Sequence, residues 1–355
     1  MADAFSPRGS LLQDRIRLPL HCPVEELLAE VRALPEAAWV DHFVPQHYEG
    51  SWRVLPLRGP AGETHPIRMA TSNPCVDDFE DTPFLGEAAR RLLSRFRCPL
   101  LSTRVMALGP GSRVLEHRDH DLDGADGVVR LHVPLATHPG VSFLLNGEPV
   151  PFRAGEAWCL RLSDPHAVVN DGPDPRLHLV VDARLDPWLR ALLAMPPEVS
   201  AMLAFVQRVG LDWALAELPG GTVLPGLDVA EGRILVDPAR LRHPGDVLHE
   251  AGHLAVLLPE ERKAPDAPGL RDPGLEMASM AWSYAAAVHL GLPPEVVFHP
   301  DGYRGEAERI LATYRAGANL GQPLLAWMEM TSWQGHGPGE PFPAMARWVR
   351  DAPTR

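Results

Sequence analysis

The sequence predicts an α+β chain. A double-stranded β-helix (jelly-roll) domain is expected over residues 1–190, and a mostly α-helical domain over residues 191–355. Three observations lead there. Short alternating runs, separated by Gly, Pro, Asn and Asp, fill residues 101–185, as a barrel of short strands requires. The alternation stops near Leu185, and beyond it apolar residues recur at helical spacing. Finally, 355 residues with 45% hydrophobic content are enough for two full-sized cores.

Residues 22–34, CPVEELLAEVRAL, place Val24, Leu27, Leu28 and Val31 at helical spacing. TPFLGEAARRLLSRF at 82–96 is a second expected helix. STRVMAL, VVRLHVPL, VSFLLNGEPVPF, EAWCLRL, HAVVN and RLHLVVDARL then read as strands. Asn146-Gly147 marks a tight hairpin turn inside the third of them. DPWLRALLAMPPEVSAMLAFVQRVG reads as helix, Pro-Pro break and helix, which puts the domain boundary near 190–200. Further on, VLHEAGHLAVLL forms a helix that begins at Gly245 or Asp246 and ends before Pro259. Asp272 caps a second helix of this half with Pro273 at its first position, and GLEMASMAWSYAAAVHL carries it to Gly291.

A formal net charge of −13 argues against nucleic acid and anionic membrane surfaces as partners. Cys22, Cys75, Cys98 and Cys159 show no C-x-x-C spacing and are read as reduced thiols of a cytoplasmic protein. No signal peptide and no membrane span is expected. The 38 prolines punctuate loops in a chain too apolar to be disordered.

The chemistry concentrates in two segments. EHRDHD supplies His117-x-Asp119, and PHAVVNDGPDPRLHLVVD supplies His166 and Arg176. Residues i and i+2 of an extended segment share a face, so His117 and Asp119 point the same way, as do Arg176 and His178. Two imidazoles and a carboxylate make the ligand set of a facial triad, which leaves coordination positions of an Fe(II) open. Arg130 and His132 share one face of RLHVPL, opposite the apolar Leu131, Val133 and Leu135. Asn170 shares a face with His166, and before DGPDP it also suits a turn.

These segments, with RLHVPLATHPGVSFLLNGEPVPFRAGEAW between them and WVDHF and GSWRVLPLRG upstream, resemble the aspartyl/asparaginyl β-hydroxylase-like 2-oxoglutarate oxygenases. The bacterial proline cis-4-hydroxylase-like branch is the most similar in pattern, and the resemblance covers roughly residues 1–190. It implies Fe(II) on His117, Asp119 and His166, and the distal carboxylate of 2-oxoglutarate on Arg176. It also implies Arg130 and His132 near the other end of that co-substrate. The activity it implies is O₂-dependent hydroxylation of an amino acid, free or within a peptide. Cys159-Leu160-Arg161 departs from the family, which often has an aromatic residue and an acid there, and so leaves the substrate open. Asp119 separates this chain from the family's animal members, which lack the carboxylate ligand.

The second half carries its own motif, His249-Glu250-Ala251-Gly252-His253. On a helix, positions i and i+4 share a face, so both imidazoles can reach one metal, for which Zn(II) is the candidate. Glu250 is the expected catalytic base toward a bound water, and Glu276 the expected third ligand, with His289 and His299 as competitors. Three alternatives to a simple hydroxylase follow. One is a bifunctional hydroxylase and metallopeptidase, another a peptidase joined to a binding-only barrel, and the third a cupin-like binding module without turnover.

Overall fold

The computed structural model describes residue 11 and residues 13–62, 78–119, 122–263 and 272–351. Cys75, read above as a reduced thiol, and His120 and Asp121 of the EHRDHD segment lie outside them. The chain divides into two compact units, Met1–Ala194 and Met195–Arg355.

The first unit begins with β1 (Arg15–His21), α1 (Glu25–Ala33), β2 (Val40–Asp41), β3 (Tyr48–Glu49) and β4 (Trp52–Pro60). It continues through β5 (Phe79–Asp81), α2 (Glu87–Leu93), β6 (Leu100–Leu108), β7 (Ser112–His117) and β8 (Val128–Ala136). β9 (Val141–Leu145), β10 (Glu148–Pro149), β11 (Glu156–Leu160), β12 (His166–Asn170), β13 (Arg176–Arg184) and α3 (Pro187–Leu193) complete it.

One sheet runs β1-β11-β8-β13-β6-β4-β2, with β5 on β4, and a second runs β10-β9-β12-β7-β3. Every pairing in both is antiparallel, and most neighbouring strands are far apart in sequence, which is the jelly-roll arrangement. Trp52, Met106, Leu108, Val114, Phe143, Trp158, Leu160 and Val168 fill the space between the sheets. Asn146 and Gly147 both take positive φ, 55° and 78°, and turn β9 into β10 as an Asn-Gly hairpin should. Cys22, Cys98 and Cys159 are buried free thiols.

The second unit holds α4 (Pro197–Arg208), β14 (Asp212–Leu215), β15 (Leu227–Ala230), β16 (Arg233–Val236), α5 (Asp246–Val256) and α6 (Pro259–Arg262). α7 (Pro273–His289), α8 (Ala307–Arg315) and α9 (Gln322–Trp327) follow. Helices dominate, but β14, β15 and β16 form a small sheet that the helical reading did not anticipate. Glu231 and Gly232, with φ of 54° and 73°, make the turn between β15 and β16. No single helix among the described residues is long and apolar enough to cross a membrane.

α5 and α7 lie against each other over a contact that needs Gly252. A Cβ there would stand 2.7 Å from the Ser279 carbonyl oxygen and 2.9 Å from Ser283 Oγ. Ser283 in turn donates to the Leu248 carbonyl at 3.0 Å. Gly252→Ala gains about 1 kcal/mol of helix propensity, but overpacking against backbone costs roughly 1–3 kcal/mol. A lower melting temperature on thermal denaturation is therefore expected, and an unchanged or higher one would refute the contact.

Candidate metal centres and the cavity between the sheets

β7 and β12 pair so that His166 faces His117 directly across the ladder. The two rings lie 4.3 Å apart between centroids. Just past β7, the Asp119 amide donates to the Leu162 carbonyl at 2.8 Å, which turns its side chain toward the same point. His117 Nε2 is 3.8 Å from Asp119 Oδ1. One ligand atom from each of His117, Asp119 and His166 lies within 4.8 Å of the others.

The tautomers are fixed by the backbone. His117 Nδ1 sits 2.8 Å from the Leu115 carbonyl, and His166 Nδ1 sits 3.0 Å from the Asp164 carbonyl. Both Nδ1 atoms must therefore carry the proton, so both Nε2 lone pairs face the gap. Burial pulls His166 down to about 4, so it is neutral at physiological pH. Two imidazoles and a carboxylate turned to one point are a donor set that fits a first-row divalent metal.

Asp119 is itself held. Arg130 NH1 donates to its Oδ2 at 2.8 Å, leaving Oδ1 facing His117. Arg130 Nε and NH2 donate to Asp182 at 2.6 and 3.2 Å, and Arg104 NH1 donates to the same carboxylate at 3.0 Å. Three of the five N–H groups of Arg130 are thus engaged by carboxylates. Burial alone would raise the Asp182 carboxyl, but Arg104 and Arg130 outweigh it and hold it at about 2. This stabilisation is present above about pH 4, the ordinary carboxyl value, and is lost as pH falls through about 2. Asp182→Asn leaves two buried guanidinium groups short of charge. A loss of about 3–5 kcal/mol is expected, read by urea denaturation at pH 7; a loss under about 1 kcal/mol would show the network to be dispensable.

The triad opens into a cavity of about 120 Å³ between the sheets, lined also by His42, Trp52, Arg104, His132, Phe143 and Arg176. Arg176 is 3% exposed. Its NH2 donates to His178 Nδ1 at 2.7 Å, and its Nε has no partner. No carboxylate among the described residues forms an ion pair with it. Burial pulls its guanidinium down to about 9, so it still carries its charge at pH 7. His132 is buried with neither ring nitrogen hydrogen-bonded. Asn170 instead organises the turn after β12, donating to the Leu108, Gly109 and Asp174 carbonyls and accepting from the Gly172 amide.

Asp182, Arg104, His42 and His47 were not among the residues expected here. Asp182 extends the alternation Arg176, His178, Val180 along β13, and the period of two could have found it. His42 stacks on Trp52 at 3.6 Å between centroids, and His47 lies 4.8 Å from the His117 ring. Both come from the irregular segment before β4, where periodicity says nothing.

Residues 24–185 match the family model for aspartyl/asparaginyl β-hydroxylase. That match covers 162 residues, just under half of the chain, and lies within the first unit. L-Proline cis-4-hydroxylase of Rhizobium meliloti (strain 1021) is 25% identical to the chain over 162 residues, which make up 44% of this chain. The match spans 56% of that relative's length. Among solved structures, a Pseudomonas putida prolyl-4-hydroxylase is similar at 15% identity and a TM-score of 0.34, over 49% of this chain and 94% of that one. An oxidoreductase of the 2OG-Fe(II) oxygenase family from Burkholderia pseudomallei is similar at 16% identity and a TM-score of 0.30, over 45% and 78%. In the first unit, the departing run Cys159-Leu160-Arg161 is partly structural. The Cys159 thiol is buried and pushed up to about 12, and Arg161 pairs with Asp164 at 2.7 Å.

In the second unit, His249 and His253 lie one turn apart on α5, and α7 brings Glu276 beside them. Asp272 caps α7 by accepting from the Gly274 amide at 2.7 Å, and Pro273 starts it. His253 Nε2 is 3.3 Å from Glu276 Oε2, and His249 Nε2 is 4.0 Å from Oε1. Ligand atoms of His249, Glu250 and His253 also cluster within 4.8 Å. The competitors are engaged elsewhere. His299 Nε2 pairs with Asp246 at 3.0 Å, and His289 accepts from Arg208 at 3.3 Å.

Proposed function

We propose that the first unit catalyses Fe(II)- and 2-oxoglutarate-dependent hydroxylation of an amino acid, free or within a peptide. The observation that carries this reading is Arg176. A buried guanidinium without a carboxylate partner, in the cavity that the triad opens into, calls for an anion. A planar carboxylate matches its fork. The name of the relative from Rhizobium meliloti supports an amino acid as the substrate class.

His117, Asp119 and His166 would hold the iron, and Arg176 would take the far carboxylate of 2-oxoglutarate. When bound, these groups supply the O₂-dependent oxidation that converts C–H to C–OH, with succinate and CO₂ as co-products. The chain's own residues supply the setting. Arg130 fixes the Asp119 carboxylate so that one oxygen remains available. The Nδ1 bonds of the two histidines hold their rings in place. Trp52 and Phe143 give the cavity part of its apolar wall, and the Phe143 ring lies 5.9 Å from the Arg176 guanidinium. His132, with two unpartnered nitrogens, can donate to the co-substrate.

The test supplies Fe(II), 2-oxoglutarate and O₂ to the full chain with candidate amino acids and peptides. Mass spectrometry should find a gain of about 16 Da, matched by succinate. Iron-loaded chain that neither binds 2-oxoglutarate nor releases succinate would favour a binding module.

A further inference from the structure

We propose that the second unit holds one zinc-type divalent cation on His249, His253 and Glu276, with an open position facing water and a carbonyl ligand. Glu250 is the base at that position, and Tyr303 is a positioning residue. The separations between donor atoms carry this assignment. His249 Nε2 and His253 Nε2 are 3.2 Å apart, and His253 Nε2 and Glu276 Oε2 are 3.3 Å apart. Ligands of a tetrahedral zinc sit about 2.0–2.2 Å from the ion, so their mutual distances are roughly 3.3–3.6 Å. Two edges of one coordination tetrahedron are thus already in place, and the third, from His249 Nε2 to Glu276 Oε1, stands at 4.0 Å, within reach of a small turn of the Glu276 side chain.

Packing holds them so. His253 is buried. Gly252 lets α7 approach until the Ser279 carbonyl would touch any Cβ there, and Glu276 lies one turn before Ser279. Tyr303 Oη lies 3.1 Å from His249 Nδ1. With Nδ1–H donating to Tyr303, the Nε2 lone pair of His249 is directed at the cation position, as the outer partner of a metal-bound histidine does. The Glu276 side chain is 41% exposed, so the site is reached from solvent. A structural zinc has four protein ligands, whereas a catalytic one has three and an open position. Glu250 follows His249 directly and stands within 4.8 Å of both imidazoles. It is assigned as base, because the Glu276 carboxylate, 3.3 Å from His253 Nε2, serves as the third ligand.

The arrangement suits hydrolysis of an amide. The water oxygen bonds to the carbonyl carbon and its proton passes to Glu250. The C–N bond then breaks, and Glu250 returns the proton to the departing nitrogen. No oxidant or reductant is needed.

The experiment uses the full chain with His166→Ala, which disables the barrel's own metal position and so separates this proposal from the hydroxylase reading. After dialysis against zinc, one equivalent should remain by elemental analysis. Adding His253→Ala or Glu276→Gln should remove it, and adding Glu250→Gln should retain it. Adding Tyr303→Phe should weaken zinc binding roughly 10–100-fold while circular dichroism stays unchanged. Acetohydroxamate should perturb the visible bands of the cobalt-substituted protein, because a position is open. No retained zinc in the His166→Ala chain would overturn the proposal. So would zinc insensitive to His253→Ala, zinc lost with Glu250→Gln, or a cobalt spectrum blind to the hydroxamate.

Discussion

His166→Ala should abolish succinate release and lower iron affinity by more than the roughly 100-fold that losing a mere supporting residue can cost. The reason is positional. His166 opposes His117 across the β7–β12 ladder, with its proton fixed on Nδ1 and its other nitrogen facing the gap. Removing the ring leaves His117 and Asp119, two donors on one short segment. The fold should survive, because Val168 and Asn170 still pack and bond within β12. Iron content by elemental analysis and succinate by mass spectrometry check the outcome. A variant that kept both iron and turnover would remove the triad as the metal position.

Arg176→Lys should raise KM for 2-oxoglutarate by roughly 10–150-fold. That range corresponds to losing one charge-assisted hydrogen bond of about 1.5–3 kcal/mol. Lysine loses the fork, and burial acts against its charge as well. The site already pulls a guanidinium down to about 9. An ammonium starts about two units lower than a guanidinium, so burial at this position makes its charge less secure than that of the arginine. The lysine variant should then bind 2-oxoglutarate more weakly still as pH rises from 6 to 8, whereas the parent should be flat over that window. Steady-state kinetics at varied 2-oxoglutarate and pH would show it. An unchanged KM would pass the anchoring role to Arg130, two of whose N–H groups remain uncommitted to carboxylates.

Much of the barrel was legible because its cause is local. Alternation along β8, β12 and β13 reports which side chains face inward, and the Asn-Gly turn names its own conformation. The H-x-D pair and the distant histidine and arginine were legible through the same period. What stayed hidden depends on register between strands remote in sequence. Nothing local says that Asp182 pairs with Arg130, or that Arg104 from β6 joins the same carboxylate. His42 and His47 come from irregular backbone and reach the cavity only through the fold. The small sheet in the second unit was missed for another reason. LDVA and RILV are four residues each, too short to stand out from helix, although the Glu-Gly turn between them was readable. His249 and His253 followed from helical spacing, but Tyr303 approaches from a different element and carried no motif.

The row Asp119, Arg130, Asp182, Arg104 alternates in sign from the cavity mouth into the sheet. The carboxylate of the proposed metal triad is thereby anchored to groups outside the triad. Loading and folding become separable events. The polypeptide can reach its final shape with its donors already cocked, and the ion enters a finished socket instead of assembling one.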